Sequence, residues 1–499
     1  MYINDLILTP VINKYVNIVN WISLSSLLNF KIYKNIITIK KLVIGEMRKM
    51  GKNVLMISWE YPPRITGGLG VASKGLAVAL TKLGNSVFML LPKLTGKEEE
   101  IPGIHLIDFK KTRHLLSEDE IQELAVKTSK FKYYAEQIST YGQFGETPSS
   151  FFLKVSSAWH DLLKNISHKL ILKEDFLTGN YSNRVYDEIN IFATWAAMIS
   201  KKLDFDIIHA HDWMTYKAGL AIAKISKKPV ICHVHSTEFD RSGDKVNQYV
   251  FDIENNAFHS ANMNIAVSEF TKNILIRRYS VQPDKIKTVH NGVDFTQVIE
   301  EPSYKQKSKK ITGISKKRKI APKDKIVTFV GRITFQKGPD YFVRAAKKVI
   351  EEIPNTRFVM AGTGDMYYRI IDMAAGMGMG SYFHYTGFLK NEGVIKLYNI
   401  SDLYIMPSVS EPFGITPLEA MLHKVPVIIS KQSGVSEIIQ NAIKVDFWDI
   451  NQIANSIIYV LKNPKIYKKM LEEGYTEAQK INWITPAEKV NSIYGEVLR

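Results

Sequence analysis

Pro407-Ser408-Val409-Ser410-Glu411-Pro412-Phe413-Gly414-Ile415-Thr416-Pro417-Leu418-Glu419-Ala420 is the stretch on which the reading of this chain turns. Two carboxylates, Glu411 and Glu419, stand eight positions apart, with Gly414 and a Thr-Pro pair between them. The apolar run 402–406 just upstream predicts a buried strand that stops at Pro407. Downstream, Pro417-Leu418-Glu419-Ala420-Met421-Leu422-His423 predicts a helix. Thr416 is placed as its N-cap, Pro417 at the first helical position, and Glu419 at the third, where a carboxylate favours the helix N-terminus. Strand, loop and helix in that order turn the helix's positive end toward the carboxyl edge of a parallel sheet. Backbone N–H groups and a dipole are then on offer to a phosphate. Taken alone, the same residues also describe an ordinary capping box with a spare loop glutamate.

The same grammar precedes this stretch. Residues 326–330 predict a strand, followed by Gly331-Arg332-Ile333-Thr334-Phe335-Gln336-Lys337-Gly338 and a helix opening on Pro339. Arg332 and Lys337 flank a loop above a helix N-terminus. A fixed fork of guanidinium donors beside a mobile ammonium suits two linked phosphates. A solvated loop with two cations is the plainer account. Strands at 357–361 and 382–385 are followed by Gly362-Thr363-Gly364-Asp365 and Thr386-Gly387-Phe388. Another at 425–430 precedes Gly434-Val435-Ser436-Glu437, and the chain is expected to finish in helices.

The earlier half opens with an apolar run at 53–57, a helical pattern at 71–83 and a second run at 86–91. Strand, helix, strand makes the sheet parallel. Between the first strand and the helix lies Trp59-Glu60-Tyr61-Pro62-Pro63-Arg64-Ile65-Thr66-Gly67-Gly68-Leu69-Gly70, whose glycines let backbone approach a phosphate. It is no dinucleotide fingerprint. Nine residues part the strand from Gly67, and no acid follows the second strand at Leu91-Pro92-Lys93 to hold a ribose. Residues 97–200 read as mostly helical, an insertion on the acceptor side, with an amphipathic helix at 183–200.

Strands at 206–209 and 229–234 leave Ala210-His211-Asp212-Trp213 and His235-Ser236-Thr237-Glu238 past their ends, where α/β sheets bind ligands. His209, His211, Asp212, His233, His235 and Glu238 invite a metal reading. The H-x-H-x-D-H spacing of metal hydrolases needs an acid at 213 and an imidazole at 214, where this chain has Trp213 and Met214. No D-x-D pair stands at a strand end either, so no metal and no cofactor are expected. For any one of these histidines the plain reading is a satisfied core residue. Strands at 263–267 and 286–289 complete this half, with Ser268 capping the helix between them and Asn291-Gly292-Val293-Asp294 turning the chain.

Taken together and in this order, the motifs resemble those of retaining glycosyltransferases with the two-domain GT-B fold. They are similar in particular to the glycogen and starch synthase-like members, over about residues 52–499. The resemblance implies an α/β protein of two doubly wound Rossmann-like domains facing across a cleft. Residues 1–50 would be an extension outside the core, 51–300 the acceptor-side domain, 301–325 a basic linker and 326–480 the nucleotide-sugar domain. Residues 481–499 would be a helix returning to the first domain. It also implies roles. Glu411 would contact the transferred sugar and Glu419 the ribose. Arg332 and Lys337 would clamp the diphosphate, and His235 would hydrogen-bond the donor sugar. Gly67, Gly68, Phe413, Gly414, Ile415 and Thr416 would line the donor site, the backbone of 386–388 would read the base, and Asp212 would stand beside the acceptor. The family's Lys-x-Gly-Gly-Leu loop is altered here. Ile65 holds the lysine's place and Arg64 is the nearest cation.

Composition narrows the field. At 499 residues the chain exceeds one core. A single cysteine, Cys232, excludes an intramolecular disulfide framework and fits a reducing, cytoplasmic setting. The net charge of +17 suggests nucleic acid, but its distribution argues against that partner. Residues 1–50 carry seven Lys or Arg against two acids, and 301–325 carry ten against two, so the rest is near neutral. The uncharged stretch 15–30 is short and polar for a membrane span. The working protein is expected to begin near Met47 or Met50; the rival reading is an amphipathic surface anchor, which leaves membrane association to residues 1–50 alone.

The expected activity is transfer of glucose from ADP- or UDP-glucose to the end of an α-1,4-glucan with retention of configuration. Glu411 is read as orienting the sugar. The alternative is a nucleophile as in retaining glycosidases, but no second acid stands at a fixed spacing. Two other readings stay open: a retaining transferase for a lipid, sucrose-type or phosphosugar acceptor, and a nucleotide-binding protein without catalysis.

Overall fold

Two parallel sheets carry the chain, and their strand orders are nearly the same. In the computed structural model, which describes residues 51–124, 177–181, 184–294 and 324–499, the first sheet runs β3-β2-β1-β4-β5-β6-β7. Its strands are β1 (Asn53–Ile57), β2 (Ser86–Leu90), β3 (Ile104–Ile107), β4 (Ile207–His211), β5 (Val230–Val234), β6 (Met263–Ala266) and β7 (Ile286–Thr288). The second runs β10-β9-β8-β11-β12-β13. It is built from β8 (Lys325–Val330), β9 (Thr356–Ala361), β10 (Phe383–Gly387), β11 (Leu403–Met406), β12 (Val427–Ser430) and β13 (Ile443–Val445). Each order reverses once, between β1 and β4 and between β8 and β11. In open parallel sheets the crevice at such a reversal, outside the strands' carboxyl ends, is where ligands sit. The expected glycine, histidine and glutamate motifs all follow β1, β4, β5, β8 or β11.

Alternation along the strands divides each core in two. Leu55 and Ile57 join one cluster with Trp195 and Phe192, while Val54 and Met56 join another on the opposite face. That second cluster takes in Trp483, Ala487, Val490 and Tyr494, so the last helix, Ile484–Val497, covers the first sheet. It lies against the helix Gly68–Lys82, where Gly75 leaves no room for a Cβ beneath the Trp483 indole. A further cluster joins the halves, with Val267 and Val293 against Phe413 and Val435. Polar groups tie the same seam. Ser268 donates to the Pro412 carbonyl at 2.6 Å, Ser410 to Asp240 at 2.5 Å, and Glu437 accepts from the Glu269 and Phe270 amides.

Several expectations need correction. β4 continues through His211, two residues further than read, because the histidines alternate as strand residues do. The first helix begins at Gly68, not Val71, since Glu60 takes both the amide and hydroxyl of Thr66 and turns the chain early. Thr416 is not the N-cap. The helix spans Thr416–Leu422, no side chain caps it, and the Thr416 hydroxyl accepts instead from Tyr404 at 2.8 Å. β3 and β13 were not foreseen. The extension at 1–50, most of the basic stretch 301–325 and residues 125–176 of the expected insertion lie outside the described residues. Among the described residues no helix is long and apolar enough to cross a membrane.

Candidate active site

A cavity of about 610 Å³ opens where the two sheets' reversals face each other. Gly67, Gly68, Asp212 and His235 line it from the earlier half. Arg332, Lys337, Glu411, Phe413, Gly414, Ile415, Thr416 and Glu419 line it from the later half. All twelve residues singled out from the sequence are thus in one place. A second cavity of about 710 Å³, beside Lys224, Lys227, Lys228 and Leu498, shares no residue with it.

On the later side, Gly338 at φ +63° carries the turn after β8 into the helix Pro339–Glu352. Gly414 at φ +98° reverses the loop after β11. Both are conformations that an L side chain resists. These turns bring Lys337 against Glu411, and the ammonium donates to the carboxylate. Ser408 donates to the same oxygen at 3.3 Å. Glu411's main chain is pinned on both sides, its N–H to Gln432 and its carbonyl to the Gly434 N–H, each at 2.9 Å. Arg332 donates to Gln336 at 3.2 Å, and the Gln336 carbonyl accepts from the Val409 amide. The two loops are therefore one unit. The lysine and glutamate neutralise one another, and a diphosphate would compete with Glu411 for the ammonium.

Glu419 lies on the first turn, beneath Tyr398, whose hydroxyl donates to it at 3.4 Å. Burial pushes its carboxyl up to about 7. The helix that carries it has only seven residues, so the cations outweigh its dipole as anion partners.

The earlier side is built differently. Asp212 follows β4 at φ +62° and ψ +168°, a conformation nearly confined to glycine that costs another residue about 1–3 kcal/mol. This aims its carboxylate away from its own helix and across to β5's end, where the amides of His235 and Ser236 donate at 2.7 and 3.2 Å. Burial raises its carboxyl to about 7 against the pull of Arg241. Behind it stand four histidines on β4 and just along β5. His209 Nε2 meets His233 Nδ1 at 3.1 Å, and His211 Nδ1 meets His235 Nε2 at 2.8 Å. Within each pair the rings are close to coplanar, 6° and 19° apart, so these are edge-on hydrogen bonds. Along each strand the rings lie face to face, with centroids 4.4 Å apart. His209 Nδ1 reaches Tyr494 of the last helix at 2.6 Å. Burial holds His235 down to about 3, so it is neutral near pH 7.

His209, His211 and His233 are near enough for one ion, with ligand atoms within 4.8 Å of one another. But His209 Nε2 and His233 Nδ1 share one proton in a hydrogen bond, and an ion would have to displace that proton and break the bond. Glu238, the acid of the metal reading, is instead bound to Arg241, Ser242 and the Asn247 amide.

Sequence reading missed Arg241, Tyr398 and Tyr404. Arg241 also lines the cleft, its guanidinium held by Glu254 at 2.5 Å and Glu238 at 3.3 Å. The i,i+3 spacing of Glu238 and Arg241 was the available signal. The tyrosines sit on elements read only as helix and strand, and nothing local marks them. Arg64 turns the other way, donating to Asn180 at 3.2 Å beside Gly179. The cations among the described lining residues are Arg241, Arg332 and Lys337.

Comparison with known proteins gives this geometry a context. Residues 310–477 match the family described as Glycosyl transferases group 1, and residues 177–297 match Glycosyltransferase Family 4. The chain is 27% identical over 406 residues to an uncharacterized glycosyltransferase of Methanocaldococcus jannaschii, covering 78% of this chain and 83% of that one. It is 22% identical over 449 residues to a glycogen synthase of Mycobacterium tuberculosis, covering 88% and 94%. Among solved structures, sucrose-phosphate synthase of Thermosynechococcus elongatus gives a TM-score of 0.63 at 17% identity, over 89% of this chain and 99% of that one. The catalytic domain of starch synthase IV from Arabidopsis thaliana, bound to ADP and acarbose, gives 0.60 at 16%, over 90% and 99%. At these identities the structural likeness speaks for the fold.

Proposed function

Taking as premise that this chain is a glycosyltransferase of GT-B fold with a group 1 domain in its later half, we propose that it moves glucose from a nucleotide-glucose to the end of an α-1,4-glucan, retaining configuration. The observation that carries this reading is the Lys337–Glu411 pair, set with Arg332 at the later sheet's reversal and facing His235 across the cavity. The paired cations suit a diphosphate, and a neutral imidazole with a carboxylate suits sugar hydroxyls.

In this reading the diphosphate draws the Lys337 ammonium off Glu411 and toward Arg332. Glu411 is then free to accept from the sugar's hydroxyls. As the bond from C1 to the diphosphate oxygen breaks, charge gathers on that oxygen. One preorganised donor aimed there is worth about 3 kcal/mol. The acceptor hydroxyl bonds to C1 on the face the diphosphate leaves, and its proton passes to the departing phosphate. Glu419 would hold the ribose, with Tyr398 fixing its carboxylate, and Asp212 would hold the His235 loop beside the acceptor. The alignment with nearly the whole length of a protein named glycogen synthase supports a glucan as acceptor.

Radiolabelled ADP-glucose and UDP-glucose, offered with glycogen, phosphosugar and lipid-linked acceptors, test this. Elongation of glycogen with equal release of nucleoside diphosphate is expected from one of the two donors. Transfer only to another acceptor removes the glucan reading. Binding of donor without transfer to any acceptor leaves a nucleotide-binding protein.

A further inference from the structure

We propose that His211 is a positioning residue that sets the tautomer of His235, so that His235 presents an N–H, and not a bare nitrogen, to the cleft. The inference deepens the reading above, since it concerns the side chain taken there to meet the sugar.

The geometry allows two arrangements. His211 Nδ1 and His235 Nε2 lie 2.8 Å apart, and a single proton occupies that bond. If His235 supplies it, His211 must carry its own proton on Nε2, the only other nitrogen of a neutral ring. His211 is fully buried, and its Nε2 meets no partner among the described residues. That arrangement strands an N–H donor in a dry interior, which folded proteins rarely tolerate. If His211 supplies the proton, its Nε2 is a bare lone pair and no donor is stranded. His235 Nε2 is then the acceptor, and its own proton must sit on Nδ1. Nδ1 is the one ring nitrogen not bound to His211, and the ring lines the cavity. Burial keeps both rings neutral, so protonating both nitrogens of His235 does not offer an escape.

The consequence is chemical. An Nδ1–H can donate to a hydroxyl oxygen of the sugar and has no lone pair with which to take a proton from the acceptor. The His235 ring is thereby assigned to holding the donor sugar and excluded as general base at that nitrogen. The neighbouring pair, His209 with His233, is face-stacked on this one but not hydrogen-bonded to it, so the choice is made by His211 alone.

The test begins with the unaltered protein, labelled with 15N at histidine, and needs no substrate. The His235 resonances, identified by their loss in His235→Gln, should report a neutral ring protonated at Nδ1. A ring protonated at Nε2 overturns the proposal. His211→Asn, whose side-chain amide can donate from about the place of Nδ1, should keep that signature and most of the transfer rate. His211→Phe keeps the flat ring without the donor. It should release His235 toward the Nε2 tautomer and lower kcat at least about 10-fold, the usual effect of losing a partner that orients a functional histidine. If His211→Phe leaves His235 protonated at Nδ1, the proposal fails. If the tautomer changes while the rate does not, the assignment to His211 stands and the reading of His235 as a sugar contact is lost instead.

Discussion

The two walls of the cleft solve one problem in opposite ways. A polar group near a protein interior must be either paired or kept neutral, because an isolated charge there is costly. The later wall pairs. Lys337 and Glu411 retain 19% and 9% of their side-chain exposure and face one another as ions. The earlier wall pairs Arg241 with Glu238 and Glu254 but otherwise neutralises. Four imidazoles stack behind the cleft, joined in coplanar pairs, and burial holds His209, His211 and His233 well below the ordinary histidine range. A paired ion can be taken over by an incoming anion, whereas a neutral array fixed by its own hydrogen bonds is a rigid template for hydroxyls. In the proposed function this contrast would divide the labour, with phosphate held by the later sheet and sugar by the earlier one.

The largest effect should come from breaking the charged wall. Lys337→Ala removes the cation and leaves Glu411 facing the cavity without its partner. Transfer should fall about 10²- to 10³-fold, the loss seen when one preorganised donor is removed from developing charge. Initial rates at saturating donor would show it, and an unchanged rate would mean that this wall does not serve the phosphate.

Glu419 tests whether pairing extends through the later wall. Among the described residues no cation pairs with it, and burial lifts its carboxyl from the usual range to about 7 against the Tyr398 hydrogen bond. The sign follows from proton binding. Between about pH 4 and 7 the folded state holds a proton that the unfolded chain has released, so stability falls as pH rises, by about 1.4 kcal/mol per pH unit. Above about 7 the loss is complete. Glu419→Gln should flatten this slope, and its stability relative to the unaltered protein should grow by about 2–3 kcal/mol between pH 4.5 and 7.5. Denaturant unfolding at the two pH values decides it. A constant difference would show that Glu419 is ionised throughout and paired after all. Asp212, raised likewise by burial, should give the same sign on the opposite wall.

Much of this division was legible before any coordinates. Buried parallel strands are continuous apolar runs ending in glycine or a polar cluster, so β1, β8 and β11 stood out, and with them the reversals where the site forms. Of the four edge strands, β7 and β10 were read and β3 and β13 were not. Ile104-His105-Leu106-Ile107 and Ile443-Lys444-Val445 are short, mixed in polarity, and covered on fewer sides. The fold class held: two doubly wound sheets facing across a cleft, as in the GT-B structures it matches. The histidine alternation was visible, but which rings bond depends on the register of β4 against β5, a tertiary fact. Thr416 looked like a cap because Thr-Pro usually marks one. Its hydroxyl goes to Tyr404 because that ring, buried on the neighbouring strand, needs an acceptor. Arg241 was hidden because Glu254, its partner from another helix, meets it only once the two helices pack; the Glu238 spacing was the one local sign.

A smaller effect should follow from loosening the neutral wall at its far end. Tyr494→Phe removes the hydroxyl that meets His209 Nδ1 and leaves that nitrogen buried and alone. Stability should drop by about 1–3 kcal/mol, the cost of an unsatisfied buried polar group. Transfer should change less than about twofold, because the 209–233 pair is not bonded to the 211–235 pair that reaches the cleft. A rate loss as large as that of Lys337→Ala would mean the array acts as one unit, and the last helix would then belong to the chemistry.

The smallest effect should come from Arg64, the cation nearest the glycine loop and the one whose place in the family's pattern was in question. Were it a phosphate ligand, the earlier wall would share the later wall's task. Its guanidinium instead donates to Asn180 and packs beside Gly179, where any side chain would collide with it. In the proposed function Gly67 and Gly68 would therefore meet the ligand as bare backbone, without Arg64 beside them. Arg64→Ala should leave the donor KM within about twofold and cost about 1 kcal/mol or less in stability, as expected for a half-exposed side chain outside the core. A donor KM raised tenfold or more, with kcat held, would place a phosphate contact on the earlier sheet. The charge would then be split between the two walls.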